Sequence, residues 1–167
     1  MSDETTPRLG LPFLQTGQAQ KELTHNEALA LLDVAVQPIV EAIGPTVPPV
    51  AATPGQCWIV GNAATGAWTG RDTALAAWSS DGWRFLAATE GMAVWTRADM
   101  TVARFLAGRW EVGSVHAQRL MINGIQVVTG RQPAIAPVFG GASADTLARR
   151  AIANIITTLQ QHGLIET

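Results

Sequence analysis

His25 stands three residues after Glu22 on a stretch that reads as helix, so both fall on one side of a turn, where they could share a proton in general acid–base chemistry. No nucleophile motif accompanies them, and a solvated or helix-packing histidine is the simpler reading. His116 and His162 each lack a neighbouring motif. His162, near a predicted helix C-terminus, suits the dipole there. Cys57 is the only cysteine, which excludes an intrachain disulfide and a Cys-rich metal site. Beside Trp58 in an apolar run, it reads as a buried thiol and not a nucleophile. Of the thirteen carboxylates, Asp72, Asp81, Glu90, Asp99 and Glu111 fall in the central region, where a glycan-degrading enzyme would need a facing pair. Gly61 to Gly70 is rich in Gly and Ala but lacks the Lys-Ser/Thr ending of a phosphate loop. These patterns predict no enzyme, no metal and no cofactor.

The tryptophans, at 58, 68, 78, 83, 95 and 110, are the one constellation with binding chemistry. Indole faces stack on sugar rings, and Trp68 and Trp83 sit where loops meet strands. Trp68, with Trp78 or Trp83, is therefore the candidate glycan-stacking platform, Trp68 being the member expected to stand exposed. The competing reading makes the tryptophans the core of a small β-domain, as large apolar side chains usually are. Trp58 and Trp95, inside apolar runs, are the expected core members.

The elements that would position these residues are marked by periodicity and breakers. Residues 1–10 read as a flexible arm. From Thr16, a candidate N-cap, apolar residues recur near helical spacing until Pro38 ends the pattern at Val36–Gln37. Residues 44–55 hold four prolines and two glycines and predict a stiff linker and domain boundary. Residues 56–113 predict short strands at Gln56–Val60, Ala74–Trp78, Trp83–Ala87, Met92–Arg97, Thr101–Leu106 and Arg109–Val112, forming a small antiparallel sheet or barrel. Asn123-Gly124, between Leu120–Ile122 and Ile125–Val128, predicts a type I′ hairpin apolar on both faces within residues 114–129. After a second Pro/Gly-rich stretch at 130–142, residues 143–164 predict a helix capped by Ser143 and closed by His162-Gly163. The fold class is α+β: an N-terminal amphipathic arm and helix within 1–43, a Trp-rich β-domain, a hairpin and a C-terminal helix.

Ala148, Ile152, Ile155 and Leu159 are spaced four, three and four, a short coiled-coil seam. The helix either folds back on the β-domain or associates with other copies. Leu23, Leu31 and Val34 on the first helix, with Ile152, Ile155 and Leu159 on the last, are the candidate partner contacts.

Composition narrows the function classes. Charged residues are 14% of the chain, against about 25% in an average soluble domain. A charge-poor surface is better tolerated when copies or partners cover it. A formal charge of −2, with one Lys against ten Arg, leaves no basic cluster for nucleic acid. The polar N-terminus has no signal-peptide core, and no apolar run approaches the roughly 18 residues of a spanning helix. Synthesis in the cytoplasm without membrane insertion is the expectation.

The block LPFLQTGQAQKELTHNEALALLD, with GQCWIVGNAATGAWTGRDTALAAWSSDGWRFLAATEGMAVW after it, resembles a domain family of unassigned function. That family occurs in phage tail and fibre proteins and prophages, mostly of alphaproteobacteria, and in head spikes of gene transfer agents. The resemblance spans residues 10–112, and the tail from Gly130 looks like a C-terminal module of such proteins. It implies a virion structural and attachment protein: the base of a head spike, or a tail-fibre adaptor, on a gene-transfer-agent-like or tailed-phage particle. It further implies a ring or fibre homo-oligomer, fivefold on a capsid vertex, contacting a capsid or tail protein and a spike fibre protein on the particle surface. It brings no catalytic residues. A carbohydrate-binding module recognising bacterial surface polysaccharide is the alternative.

Overall fold

The computed structural model describes residues 5–15, 17, 21–128, 130–137, 139–140 and 145–166. These divide into two compact units, Met1–Ser114 and Val115–Thr167.

The first unit begins with an arm that is not loose. Thr5 bridges Pro12, and the Thr6 hydroxyl, 2% exposed, donates to Asp33 at 2.8 Å. The backbone N–H groups of Arg8 and Leu9 also donate to the Asp33 carboxylate, at 3.1 and 2.6 Å. Asp33 is 1% exposed near the end of helix α1 (Lys21–Ala35). A carboxylate this deep is tolerable because three donors replace its water. The Arg8 guanidinium donates to the carbonyls of Asp33, Val34 and Gln37, which the helix end leaves without intrahelical partners. The flexible-arm expectation thus fails for residues 5–12: a polar knot around Asp33 fastens them to α1. The Thr16 cap lies outside the described residues.

Pro38 follows the helix as predicted, and the chain then enters a sheet. Strand β1 (Ile39–Val40) runs parallel to β5 (Ala93–Thr96), which pairs antiparallel with β6 (Thr101–Leu106), itself paired with β7 (Arg109–Val112). A second sheet joins β2 (Cys57–Ile59), β3 (Leu75–Ser79) and β4 (Gly82–Leu86), all antiparallel. Strands β2 to β7 fall within one residue of the predicted runs, whereas β1, the parallel member, lies in a segment for which no strand was expected. The linker expectation for 44–55 is overturned. Gly44 N–H donates to the Ile59 carbonyl, Gly61 N–H to Pro45, Thr65 N–H to Thr46 and Gly55 N–H to Trp78. A Cβ on Gly61 would sit 2.1 Å from the Gly44 oxygen, so the two segments touch backbone to backbone. The prolines stiffen a strap laid on the second sheet, and the unit boundary falls after Ser114.

The β2–β3–β4 sheet is buried on both faces, with alternate residues feeding two cores. One side gives Cys57, Ile59, Leu75 and Ala77 to a cluster with Val34, Val40, Val94 and Ala103. The other gives Trp58 and Ala76 to a cluster with Val60, Ala64 and Trp68. Ala107 and Gly108, both at positive φ (49° and 78°), close β6–β7 in the conformation of a type I′ turn.

The second unit contains the hairpin β8 (Leu120–Ile122) and β9 (Ile125–Val128) and helix α2 (Thr146–Gln161). Asn123 and Gly124 take φ of 50° and 76°, the predicted turn. The register pairs Met121 with Gln126 and Ile122 with Ile125, with an irregularity that brings Leu120 opposite Val128. Leu120, Ile122, Ile125 and Val128 therefore share one face, and the other carries Met121 and Gln126. The second face is mixed, with Met121 opposite Gln126. Asp145, not Ser143, caps α2, its carboxylate accepting from Leu147 and Ala148 N–H at 3.0 and 2.9 Å. Ser143 lies outside the described residues. At the other end Gly163 (φ 70°) donates to Gln160 and Leu164 N–H to Leu159, the paired bonds of a Schellman cap.

Candidate functional site

The tryptophans assemble as core. Trp68 is 0% exposed on a single 3-10 turn (Gly66–Trp68), with ring centroids 6.3 Å from Trp58 and 5.1 Å from Trp83. Trp83 also meets Trp58 at 5.6 Å and its cross-strand partner Trp78 at 5.0 Å, both near edge-to-face. Such geometry sets the positive edge of one ring on the negative face of the next. The exposed-platform expectation for Trp68 is thereby corrected, and Trp78 and Trp83 are half-buried against the same cluster. The flanking turns misled the reading, because the strap at 44–55 covers the loop that carries Trp68. The Trp68 indole N–H has no hydrogen-bond acceptor among the described residues.

Trp95 errs in the opposite direction. Expected in the core, it is 44% exposed on the outer side of β5, aligned with Ile39 on β1 and Val102 on β6. With Arg8, Leu9, Gln37 and Pro38 these line a shallow depression of about 390 Å³. The signal was present in the alternation of AVWT, where Val94 points inward and Trp95 outward.

The catalytic candidates do not converge. His25 Nδ1 lies 3.0 Å from the Lys21 carbonyl, a contact within the helix, and its ring is exposed. Asp72 accepts from Ala63 and Ala64 N–H and Glu90 from Ala107 N–H, each tying its turn to another, while Asp99 accepts from the Thr96 hydroxyl within its own turn. Asp81 and Glu111 pair with Arg84 and Arg109. Arg84 also binds Glu27 at 2.8 Å, at the edge of a cleft of about 420 Å³ lined by Phe13 and Leu23 among others. Cys57 is fully buried, and burial pushes its thiol up to about 11. Among the described residues no group of three or more His, Cys, Asp or Glu could hold a metal ion. None of the described helices is long and apolar enough to cross a membrane.

The partner-contact candidates divide by unit. Val34 is 6% exposed and belongs to the first core, a correction of its assignment to a partner. Leu31 is half-buried, and Leu23 is 69% exposed. In the second unit Ile152 and Ile155 are 40% and 59% exposed, and Leu159 is half-buried. Ile165 is the only buried residue among those described from 115 to 166. Thirteen large apolar side chains there are at least 40% exposed, from Val115 to Leu164. Ile135, Pro137 and Phe139 line a groove of about 740 Å³ with Ile152, Ala153 and Ile156 of α2. So much apolar surface on some fifty residues is the signature of an interaction site. The second unit is the candidate site.

Residues 25–111, just over half of the chain, match a family described as protein of unknown function (DUF2793). The chain belongs to this family. The matched stretch runs from α1 to β7 and lies wholly inside the first unit. No curated protein matches the chain.

Proposed function

We propose that this protein is a virion structural and attachment protein, the base of a head spike or a tail-fibre adaptor on a gene-transfer-agent-like or tailed-phage particle. In this reading the first unit is the rigid body and the second is the part that seats it on copies of itself or on a capsid, tail or fibre protein. One observation carries the attachment role: the second unit buries almost none of its apolar side chains, whereas the first has two closed cores. The motif resemblance over residues 10–112 supplies the particle. Nothing in the site's geometry favours turnover, and the buried Trp68 removes the strongest support for a glycan-stacking module.

The test is to purify particles from the strain that carries the gene and locate the chain by antibody labelling and electron microscopy. Labelling at capsid vertices or at the tail, lost when residues 115–167 are deleted, is expected. A chain absent from the particles overturns the reading.

A further inference from the structure

The end of α1 forms a slot that already holds a peptide, and that peptide is the chain's own arm. The slot offers acceptors: the Asp33 carboxylate and the carbonyls of Asp33, Val34 and Gln37, at the negative end of the helix dipole. Residues 6–9 supply the matching donors, a hydroxyl on Thr6, a guanidinium on Arg8 and the main-chain N–H groups of Arg8 and Leu9. Pro7, between them, has no N–H to leave unpaired, and its fixed φ lowers the entropy lost on seating. Thr-Pro-Arg-Leu is thus read by the slot residue by residue.

Polar bonds hold the arm, and the cores close without it. Thr6 is the only buried residue among those described from 5 to 17, and Leu9 is 43% exposed. Neither core cluster takes a buried member from before Val34. Pro7 and Arg8 border a gap of about 20 Å³ with Val34, Cys57 and Ala77, so the arm spans this apolar floor without interlocking with it. Segments with so few buried apolar contacts open well below the free energy of global unfolding.

The tether allows the arm to reach further than its own slot. The arm runs antiparallel to α1, with Leu14 tied in both directions to the Asn26 amide and Leu9 tied to Asp33. The covalent connection therefore meets the helix at Lys21, about 18 Å from the slot along the axis. Residues 9 to 21, fully extended, span about 40 Å, roughly twice that distance. A second copy presents an identical slot, where the arm makes identical bonds, and exchanging an identical element between copies costs little.

From the donor–acceptor match, the shallow seating and the long tether we infer that the end of α1 is a peptide-recognition site that joins copies of this chain by arm exchange. Residues 6–9 of one copy leave their own slot and fill that of another. The contact lies in the body, apart from the second unit, and does not depend on the attachment reading.

The experiment uses full-length chains. Arg8→Ala has a slot without its ligand, and Asp33→Ala has the ligand without a slot; circular dichroism checks that both fold. A fluorophore at the N-terminus of the Asp33→Ala chain should show saturable anisotropy on titration with the Arg8→Ala chain. Titration with a chain carrying both substitutions should give none, which removes any contribution of the second unit. The wild type, whose own arm competes at high effective concentration, should bind at least about tenfold more weakly than Arg8→Ala. A labelled peptide of residues 2–13 repeats the test without the Asp33→Ala chain, and the same peptide with Arg8→Ala should bind at least about tenfold more weakly. No binding to the Arg8→Ala chain at several hundred micromolar, equal binding to the doubly substituted chain, or a peptide indifferent to the guanidinium each overturns the exchange.

Discussion

Trp68 and Ile155 are both large apolar residues, yet one is 0% exposed and the other 59%. The difference lies in what surrounds them. In the first unit, a sheet with two apolar faces, a proline-stiffened strap and a helix tied down at Asp33 close over every large side chain that points inward. In the second unit, one hairpin and one helix have little chain with which to cover each other, and a lone hairpin is marginal in water. The same residue types therefore act as core in one half and as contact surface in the other. Apolar content alone does not distinguish a folded body from a docking module; the number of elements available to cover it does.

Substitutions can break or sharpen this contrast. The largest effect is expected for Trp68→Ala, which removes a fully buried indole and two ring contacts and should cost about 4 kcal/mol of unfolding free energy in urea. A change within about 0.5 kcal/mol would mean that the aromatic cluster is not the core of the body. Asp33→Ala leaves Thr6 Oγ1 and the Arg8 and Leu9 N–H groups without their acceptor. Stability should drop by about 3 kcal/mol, with faster proteolysis before residue 13. Unchanged proteolysis would show that the arm is held by something else.

Alkali should act next, through Cys57. Its folded value, near 11, lies above the ordinary 9.0 because burial disfavours the thiolate. The unfolded thiol ionises first, so the contribution is intact below pH 9 and is lost as pH rises from 9 towards 11, to a total of about 2–3 kcal/mol. Cys57→Ala should flatten that slope, and an equal slope in the variant would sink the assignment. The smallest effect belongs to the second unit. Ile155→Ser should leave the unfolding free energy of the dilute chain within about 0.5 kcal/mol, because the side chain has no core to leave. A loss of 2 kcal/mol would place it in a core and erase the contrast between the halves.

Several features were legible in the sequence because they depend on neighbouring residues. Asn123-Gly124 takes positive φ whatever packs nearby, Pro38 cannot continue a helix, and His162-Gly163 closes α2 through bonds to its own last turn. Strand β6 and strand β7 were located to the residue because Ala107-Gly108 fixed the turn between them. Other features were not legible. The prolines of 44–55 make a stiff segment in any context, but whether it spans two domains or straps one depends on the Gly61 backbone, which comes close to Gly44 only in the folded chain. The burial of Asp33 is another, because its three donors lie more than twenty positions away.

By itself the sequence determined the α+β class, most element positions, the turn types, the inert thiol and the seam of α2, all of them set by local backbone preference and short-range periodicity. Tertiary structure alone decided which tryptophan is buried, where the unit boundary falls and which apolar face stays open. Burial depends on which distant segment lies over a side chain, and the residues around that side chain do not encode it.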